Sequence, residues 1–243
     1  MLHATRGIVF HSLPYSDTSV IVKIYTELFG IQSYLVKGAR RPGSKFRAAY
    51  FQVMTLLELV AYHKETASLQ SLKEVRIAHP YASLPFDIRK SSVVLFINEL
   101  ATRAIREEEA NPGLFAFLWE TCLELDRTTE NVAEFPLQFA VALMNPTGIF
   151  PRNNHSEQTP WFDLREGLFQ PAVPSHPQYL DRQTSAAFSN LLTTTDCRLP
   201  TADWQPSPSS RAHLLEILLR YYRLHLPGFG EMQSHHILHE VLA

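Results

Sequence analysis

The chain has 243 residues, 45% of them hydrophobic and 19% charged, with a net charge of -2. That length suits two domains, and that composition buries a sizeable core, which excludes a disordered chain. Two cysteines, Cys122 and Cys197, exclude a disulfide framework and point to a reducing, cytoplasmic setting; the opening residues lack a secretory pattern, and no apolar run reaches the roughly 20 residues of a membrane span.

Residues 1–79 read as short strands divided by turn signals. "RGIVFHSL" is followed by the turn "PYSD", and "TSVIVKIYT" ends at "ELFG". "IQSYLVK" alternates and runs into a basic stretch; "YFQVMTLLELVAY" and "SLQSLKEVRIAH" complete the set. Five short strands at this spacing predict a small closed barrel, because closure removes exposed edges.

From Pro80 the period changes, and residues 80–243 are predicted as a helical domain. Val93, Ile97, Leu100 and Ala104 share a helical face within 87–107. Asn111-Pro112 opens a helix striped by Phe115, Leu118, Cys122 and Leu125. Asn131 with Glu134 resembles a capping box for a helix reaching about Met144. Residues 145–180 are proline-rich and unperiodic, so they read as an irregular excursion. A long helix with Leu214, Ile217, Leu218 and Tyr221 inward follows "PSPSS", and a short one occupies 231–242.

The charge is unevenly placed. Residues 1–80 hold ten Lys+Arg and five Asp+Glu, a net of +5, whereas residues 81–243 hold twelve and nineteen, a net of -7. The basic excess concentrates in "LVKGARRPGSKFRA": Lys37, Arg40, Arg41, Lys45 and Arg47, with no acid between Glu27 and Glu58. Gly38 and Gly43 let backbone approach a ligand. Phe46, Tyr50 and Phe51 follow, and Tyr25 and Tyr34 lie on neighbouring strands. Cations that follow phosphates, with rings that stack on unpaired bases, suit single-stranded nucleic acid. A solvated charged loop is the bland alternative, and for any one ring a place in the core.

Other constellations are weaker. His235 and His239 are four apart on the last helix, with His236 to the side, but no HExxH pattern or completing ligand accompanies them. Cys122 reads as a buried hydrophobe, and Cys197 has no redox or metal motif. "EEE" at 107–109 reads as a solvated helix end. No phosphate loop, GxSxG or CxxC is present, so no enzyme, cofactor or metal is predicted.

In ordered pieces the sequence resembles the RecO family of bacterial recombination mediators. "RGIVFHSLPYSDTSVIVKIYTELFG" and "VKGARRPGSKFRA" resemble the family's opening and its basic segment; "LQFAVALMNPTGIFP" and "RYYRLHLPGFGEMQSHHIL" resemble later helices and turns. The resemblance implies an α+β protein with an N-terminal OB-fold five-stranded β-barrel followed by an all-helical C-terminal domain. It implies binding to single- and double-stranded DNA, strand annealing, and work with RecR and single-stranded-DNA-binding protein so that RecA can load. Lys37, Arg40 and Arg41 carry over as DNA contacts; Lys45, Arg47 and Tyr34 complete the expected set. Arg220 and Arg223 are candidates for the acidic tail of single-stranded-DNA-binding protein. Many family members hold zinc in four cysteines after the Gly-x-x-Pro turn. Here that region has His155 and His176 but no Cys, so its fold is expected to rest on Trp161, Phe162 and Phe169. The rival readings are an RNA-binding barrel and a metal-dependent nuclease built on the C-terminal histidines.

Overall fold

The computed structural model describes residues 1–41, 46–64, 66–105, 109–129, 132–195 and 206–242. Among the sequence-predicted features, Gly43, Lys45, Glu107, Glu108, Asn131 and Cys197 lie outside the described residues. Packing groups the chain into two compact units, Met1–Asn98 with Ile105–Thr129, and Glu99–Ala104 with Glu130–Ala243.

In the first unit, β1 (Leu2–Pro14), β2 (Val20–Thr26), β3 (Gly30–Val36), β4 (Leu56–Tyr62) and β5 (Gln70–Ile77) close a barrel in the order β1-β2-β3-β5-β4. Only the β3–β5 pairing is parallel. Alternation turns Val20, Val22, Ile24, Tyr34, Val36, Leu57, Leu59 and Ala61 into the core. A bulge between Val9 and His11 bends β1, which pairs with β2 on one side and β4 on the other. Gly7 permits the close crossing there, since a Cβ would stand 2.6 Å from Ile24 Cγ2.

The predicted fourth strand, 50–62, is shorter than its apolar run. A 3₁₀ turn (Ala48–Phe51) precedes it, and Met54 takes a positive φ of 60°. Phe51 and Met54 are buried as plugs and not as strand residues. Period alone cannot separate these two uses of a hydrophobic run.

Helix α1 (Ile88–Ala104) buries Val93, Ile97 and Leu100, while Ala104 is half-buried. Helix α2 (Pro112–Arg127) starts as its sequence predicts, with Asn111 Oδ1 accepting from Leu114 N at 3.0 Å and Pro112 in the first turn. Its stripe of Phe115, Leu118, Cys122 and Leu125 is buried. It packs on the barrel: Phe115 lies 5.9 Å from Tyr25, and the Arg6 guanidinium, paired to Glu27, sits 4.9 Å over Trp119.

The segment after β5 is clamped to the end of α2. Asp126 accepts from the amides of Ala82, Ser83 and Leu84 at 2.8–3.0 Å. The buried Lys90 ammonium donates to Ser83 Oγ at 2.6 Å and to the Asp126 carbonyl at 2.8 Å. Burial opposes the Asp126 charge, but the four donors of 82–84 outweigh it and hold its pKa well below the usual carboxylate range.

The second unit is built from α3 (Phe135–Met144), α4 (Arg182–Thr195), α5 (Pro208–His225) and α6 (Ser234–Leu242). Its helices are joined by a small antiparallel sheet, β6 (Trp161–Asp163), β7 (Leu168–Gln170) and β8 (Tyr179–Leu180), in the order β7-β6-β8. The 145–180 excursion therefore holds regular structure, and the domain is helical apart from it. Strands of two or three residues are too short to print a period on a sequence. Helix α4 was not predicted: its inward face is only Ser185, Phe188, Leu191 and Leu192 in a Ser/Thr-rich stretch, opened by Asp181 capping Thr184 N at 2.9 Å. Helix α3 begins at Phe135, with Glu134 as the N-cap residue and no side-chain capping hydrogen bond from it. Helix α5 buries Leu214, Ile217, Leu218 and Tyr221 as its pattern predicts.

Phe162 anchors the excursion, 4.8 Å from Phe169 and 4.7 Å from Phe188; Phe162 and Phe169 are fully buried and Trp161 half-buried. Asn154 clips it further, donating Nδ2 to Phe169 O at 3.0 Å and accepting Phe169 N at 2.9 Å.

Candidate nucleic-acid interface

The basic stretch leaves the barrel at one rim. Pro14, Val20 and Val36 stand side by side across β1, β2 and β3. Beyond them come the 15–19 turn and the turn starting at Lys37. The second turn is local: Arg41 N donates to Gly38 O at 3.0 Å, and Gly38 has a φ of +73°. It is fastened to the first turn, because Arg40 N donates to Thr18 O at 3.1 Å. Ala39 is buried in the barrel core, which pins the turn and directs its flanking side chains outward.

Lys37, Arg40, Arg41 and Arg47 are exposed. Among the described residues none of these four forms an ion pair. Lys37, Arg40 and Arg41 therefore gather on one rim without an ion pair, with exposed Asp17 on the adjoining turn. Arg47 stands further along, before the 3₁₀ turn. Lys45 lies outside the described residues.

The aromatic part of the expectation needs correction. Tyr34 is only 1% exposed, inside the barrel, and burial pushes its hydroxyl up to about 12. A ring so enclosed has no face to offer a base. Tyr25 is covered by α2, and Phe51 is core. Phe46 and Tyr50 are half-buried against the same core. Each inward residue alternates with an outward one, and composition does not tell which parity a ring occupies. Two residues absent from the expected set stand at the rim: Leu13, 51% exposed, and Tyr15, 62% exposed. The "PYSD" turn was the signal available for the second.

In the second unit, His235 and His236 lie 3.9 Å apart at the start of α6, and His239 is exposed. A cavity of about 110 Å³ opens between α3, α5 and α6, lined by Leu137, Leu215, Leu238 and these histidines. Arg220 is engaged with Gln178 Oε1 at 2.6 Å and Pro177 O at 2.8 Å, whereas Arg223 reaches Glu231 at 4.0 Å. Among the described residues no group of three or more His, Cys, Asp or Glu side chains is placed to hold a metal ion.

The described histidines of 145–180 are not arranged to hold zinc. His176 accepts Gln178 N through Nδ1 at 3.2 Å and turns Nε2 toward Asp163 at 3.3 Å, so both ring nitrogens are in use. His155 packs edge-on against Phe169. Asp163 is further committed to the Arg165 and Glu166 amides.

Comparison with known proteins shows the family. Residues 1–81 match the family described as Recombination protein O N terminal, and residues 85–234 match Recombination protein O C terminal. The chain belongs to the RecO family. It is similar to the DNA repair protein RecO of Bacteroides fragilis, 35% identical over 242 residues and 99% of each chain. It is similar also to the DNA repair protein RecO of Flavobacterium psychrophilum, 35% identical over 98% of each chain, and to that of Phocaeicola vulgatus, 33% identical over 100% of each. The two matches meet between residues 81 and 85, whereas packing groups residues 82–98 and 105–129 with the barrel, and none of these names states a catalytic activity.

Proposed function

We propose that this chain is a non-enzymatic recombination mediator. It binds single- and double-stranded DNA, anneals complementary strands, and acts with RecR on strands coated by single-stranded-DNA-binding protein so that RecA loads. Its setting is the bacterial cytoplasm, at the nucleoid. The observation that carries the reading is the cluster of exposed, unpaired cations Lys37, Arg40 and Arg41 on one barrel rim of a RecO-family chain.

Their role is electrostatic. Each neutralised phosphate releases counterions, which favours binding at low salt. Two strands held on one surface meet at a raised effective concentration and pair. Phosphate contacts carry no base information, so strands of any sequence are accepted. The net -7 of residues 81–243 disfavours DNA over much of the remaining surface and leaves it to protein partners.

A strand-annealing assay, with and without single-stranded-DNA-binding protein, tests the proposal. The wild-type chain accelerates pairing, and the Lys37→Ala, Arg40→Ala, Arg41→Ala variant loses most of that acceleration. No acceleration by the wild type, or a preference for structured RNA over single-stranded DNA, overturns it.

A further inference from the structure

An apolar strip on the outside of the barrel leads to the cationic rim. Leu13, Ile21 and Leu35 are direct partners across β1, β2 and β3. Opposed residues in neighbouring strands point to the same side of a sheet. Val20, Val22, Tyr34 and Val36 face the core, so Ile21 and Leu35 face out, and Leu13 with them. Leu13 is exposed, and the other two are half-buried.

One residue further along, the chain leaves the sheet at the level of Pro14, Val20 and Val36, giving Tyr15 from β1 and Lys37 from β3. With β2 between them and strands about 4.8 Å apart, their backbones emerge about 10 Å from each other. The turn that bears Tyr15 is tightly bonded: Tyr15 N donates to Ser19 O at 3.0 Å, and Ser19 N donates to Ser16 Oγ at 3.2 Å. Arg40 N ties the same turn to the basic one through Thr18. The Tyr15 ring nevertheless stands in solvent, and among the described residues it has no ring contact and its hydroxyl no hydrogen bond. A large ring kept exposed on a rigid turn, beside an apolar strip and unpaired cations, has the composition of a surface for single-stranded nucleic acid.

We infer that Tyr15 is a base-stacking residue, with the Leu13–Ile21–Leu35 strip as its floor, that takes an unpaired nucleobase while Lys37, Arg40 and Arg41 hold the adjoining phosphates. This rests on the nucleic-acid reading proposed above and adds to it a reason to tell unpaired strands from paired ones. Every base has a π-face, so stacking is tolerant of sequence. Inside a duplex those faces are already covered by neighbouring bases, so Tyr15 gains nothing from paired DNA. A base that pairs must leave the ring, and Tyr15 therefore favours the substrate of annealing over its product.

Anisotropy titrations of the full chain with labelled oligothymidylate, an abasic strand of equal length and a duplex test this. Tyr15→Ala weakens oligothymidylate binding about tenfold, a typical loss for one stacked base. It leaves the slope against salt, the abasic affinity and the duplex affinity unchanged, and Tyr15→Phe, which keeps the ring, restores the loss. Unfolding temperature is compared for each variant. Wild-type affinity of Tyr15→Ala for oligothymidylate, or an equal loss on the abasic strand, overturns the inference. The Lys37→Ala, Arg40→Ala, Arg41→Ala variant separates the two levels. If it binds like wild type, the rim is not the DNA site; if it loses affinity and salt slope while Tyr15→Ala keeps wild-type affinity for oligothymidylate, stacking alone is refuted.

Discussion

Arg40 donates its backbone amide to the carbonyl of Thr18 across 3.1 Å, so the basic turn and the β1–β2 turn are held as one surface. Among the described residues the cations on it form no ion pair, and binding a polyanion relieves the repulsion among them. Binding to single strands should weaken as salt rises, with a log–log slope of about -0.7 for each phosphate neutralised. Replacing Lys37, Arg40 and Arg41 together by Ala should flatten that slope by about two units. The unfolding temperature should barely move, because exposed charges contribute little to folding. Titrations at several salt concentrations check both; an unchanged slope removes these residues from the interface.

Asp126 gives a second prediction. Asp126→Ala takes the carboxylate acceptor from three amides and Ser83 Oγ, at a cost of about 3 kcal/mol, while the backbone carbonyl at 126 still accepts from Lys90. The folded pKa of Asp126 is lowered, from about 3.9 in the unfolded chain. Its contribution is therefore present above that pH and is lost as pH falls below it toward the folded value. Urea unfolding between pH 7 and pH 3 should show an acid-dependent loss that is smaller in Asp126→Asn. Limited proteolysis should spare residues 80–85 in the wild type and cut there in Asp126→Ala. Rapid wild-type cleavage at that segment would count against the clamp.

The start of α6 is the third test. Glu99 accepts from Gln233 N, Ser234 N and Ser234 Oγ at 2.6–3.0 Å, and Arg103 holds Glu99 while donating to Phe229 O at 2.9 Å. Burial raises the Glu99 pKa, but these donors outweigh it and the net shift is downward. His235 is lowered, first by burial, then by His236. Glu99 and Glu216 oppose that shift, and Arg223 adds to it. A depressed histidine favours the folded state above its unfolded value of about 6.5, and that contribution is lost as pH falls below it. Amides of 234–242 should lose exchange protection, after correction for intrinsic rates, from pH 7 to pH 5. Glu99→Gln should show part of that loss already at pH 7, about 1 kcal/mol, a typical cost for a missing cap. Equal protection at both pH values refutes the dependence.

The excursion should behave as a metal-free core. Phe162→Ala removes a fully buried ring and should cost about 4 kcal/mol. Chelator should leave the unfolding temperature unchanged, and elemental analysis after dialysis should find less than one zinc per chain. A chelator-sensitive transition would redirect attention to His155 and His176.

Strong periodicity and punctuation were legible without coordinates. Five strands, the helix opened by Asn111-Pro112, the stripe from Phe115 to Leu125 and the inward face of α5 all follow from side-chain pattern and turn chemistry, which act over a few residues. The uncompensated cations were visible for the same reason: charge is a property of the residues themselves. Weak patterns were not legible. The strands at 161–180 are too short for alternation to register, and α4 hides its few apolar residues among Ser and Thr.

What only the tertiary structure decided is which side each residue faces and what stands beside it. Tyr34 and Tyr15 are the same residue type near the same basic stretch, yet one is enclosed by the barrel and the other is exposed. That difference arises because parity along β3 turns Tyr34 into the barrel, whereas β1 ends at Pro14 and leaves Tyr15 on the turn beyond it. Local sequence determined that there would be strands, turns and a cluster of positive charge. Long-range hydrogen bonding brought Thr18 to Arg40 and Ser83 to Asp126, because such contacts depend on barrel closure and helix packing and not on any property of the neighbouring residues in the chain.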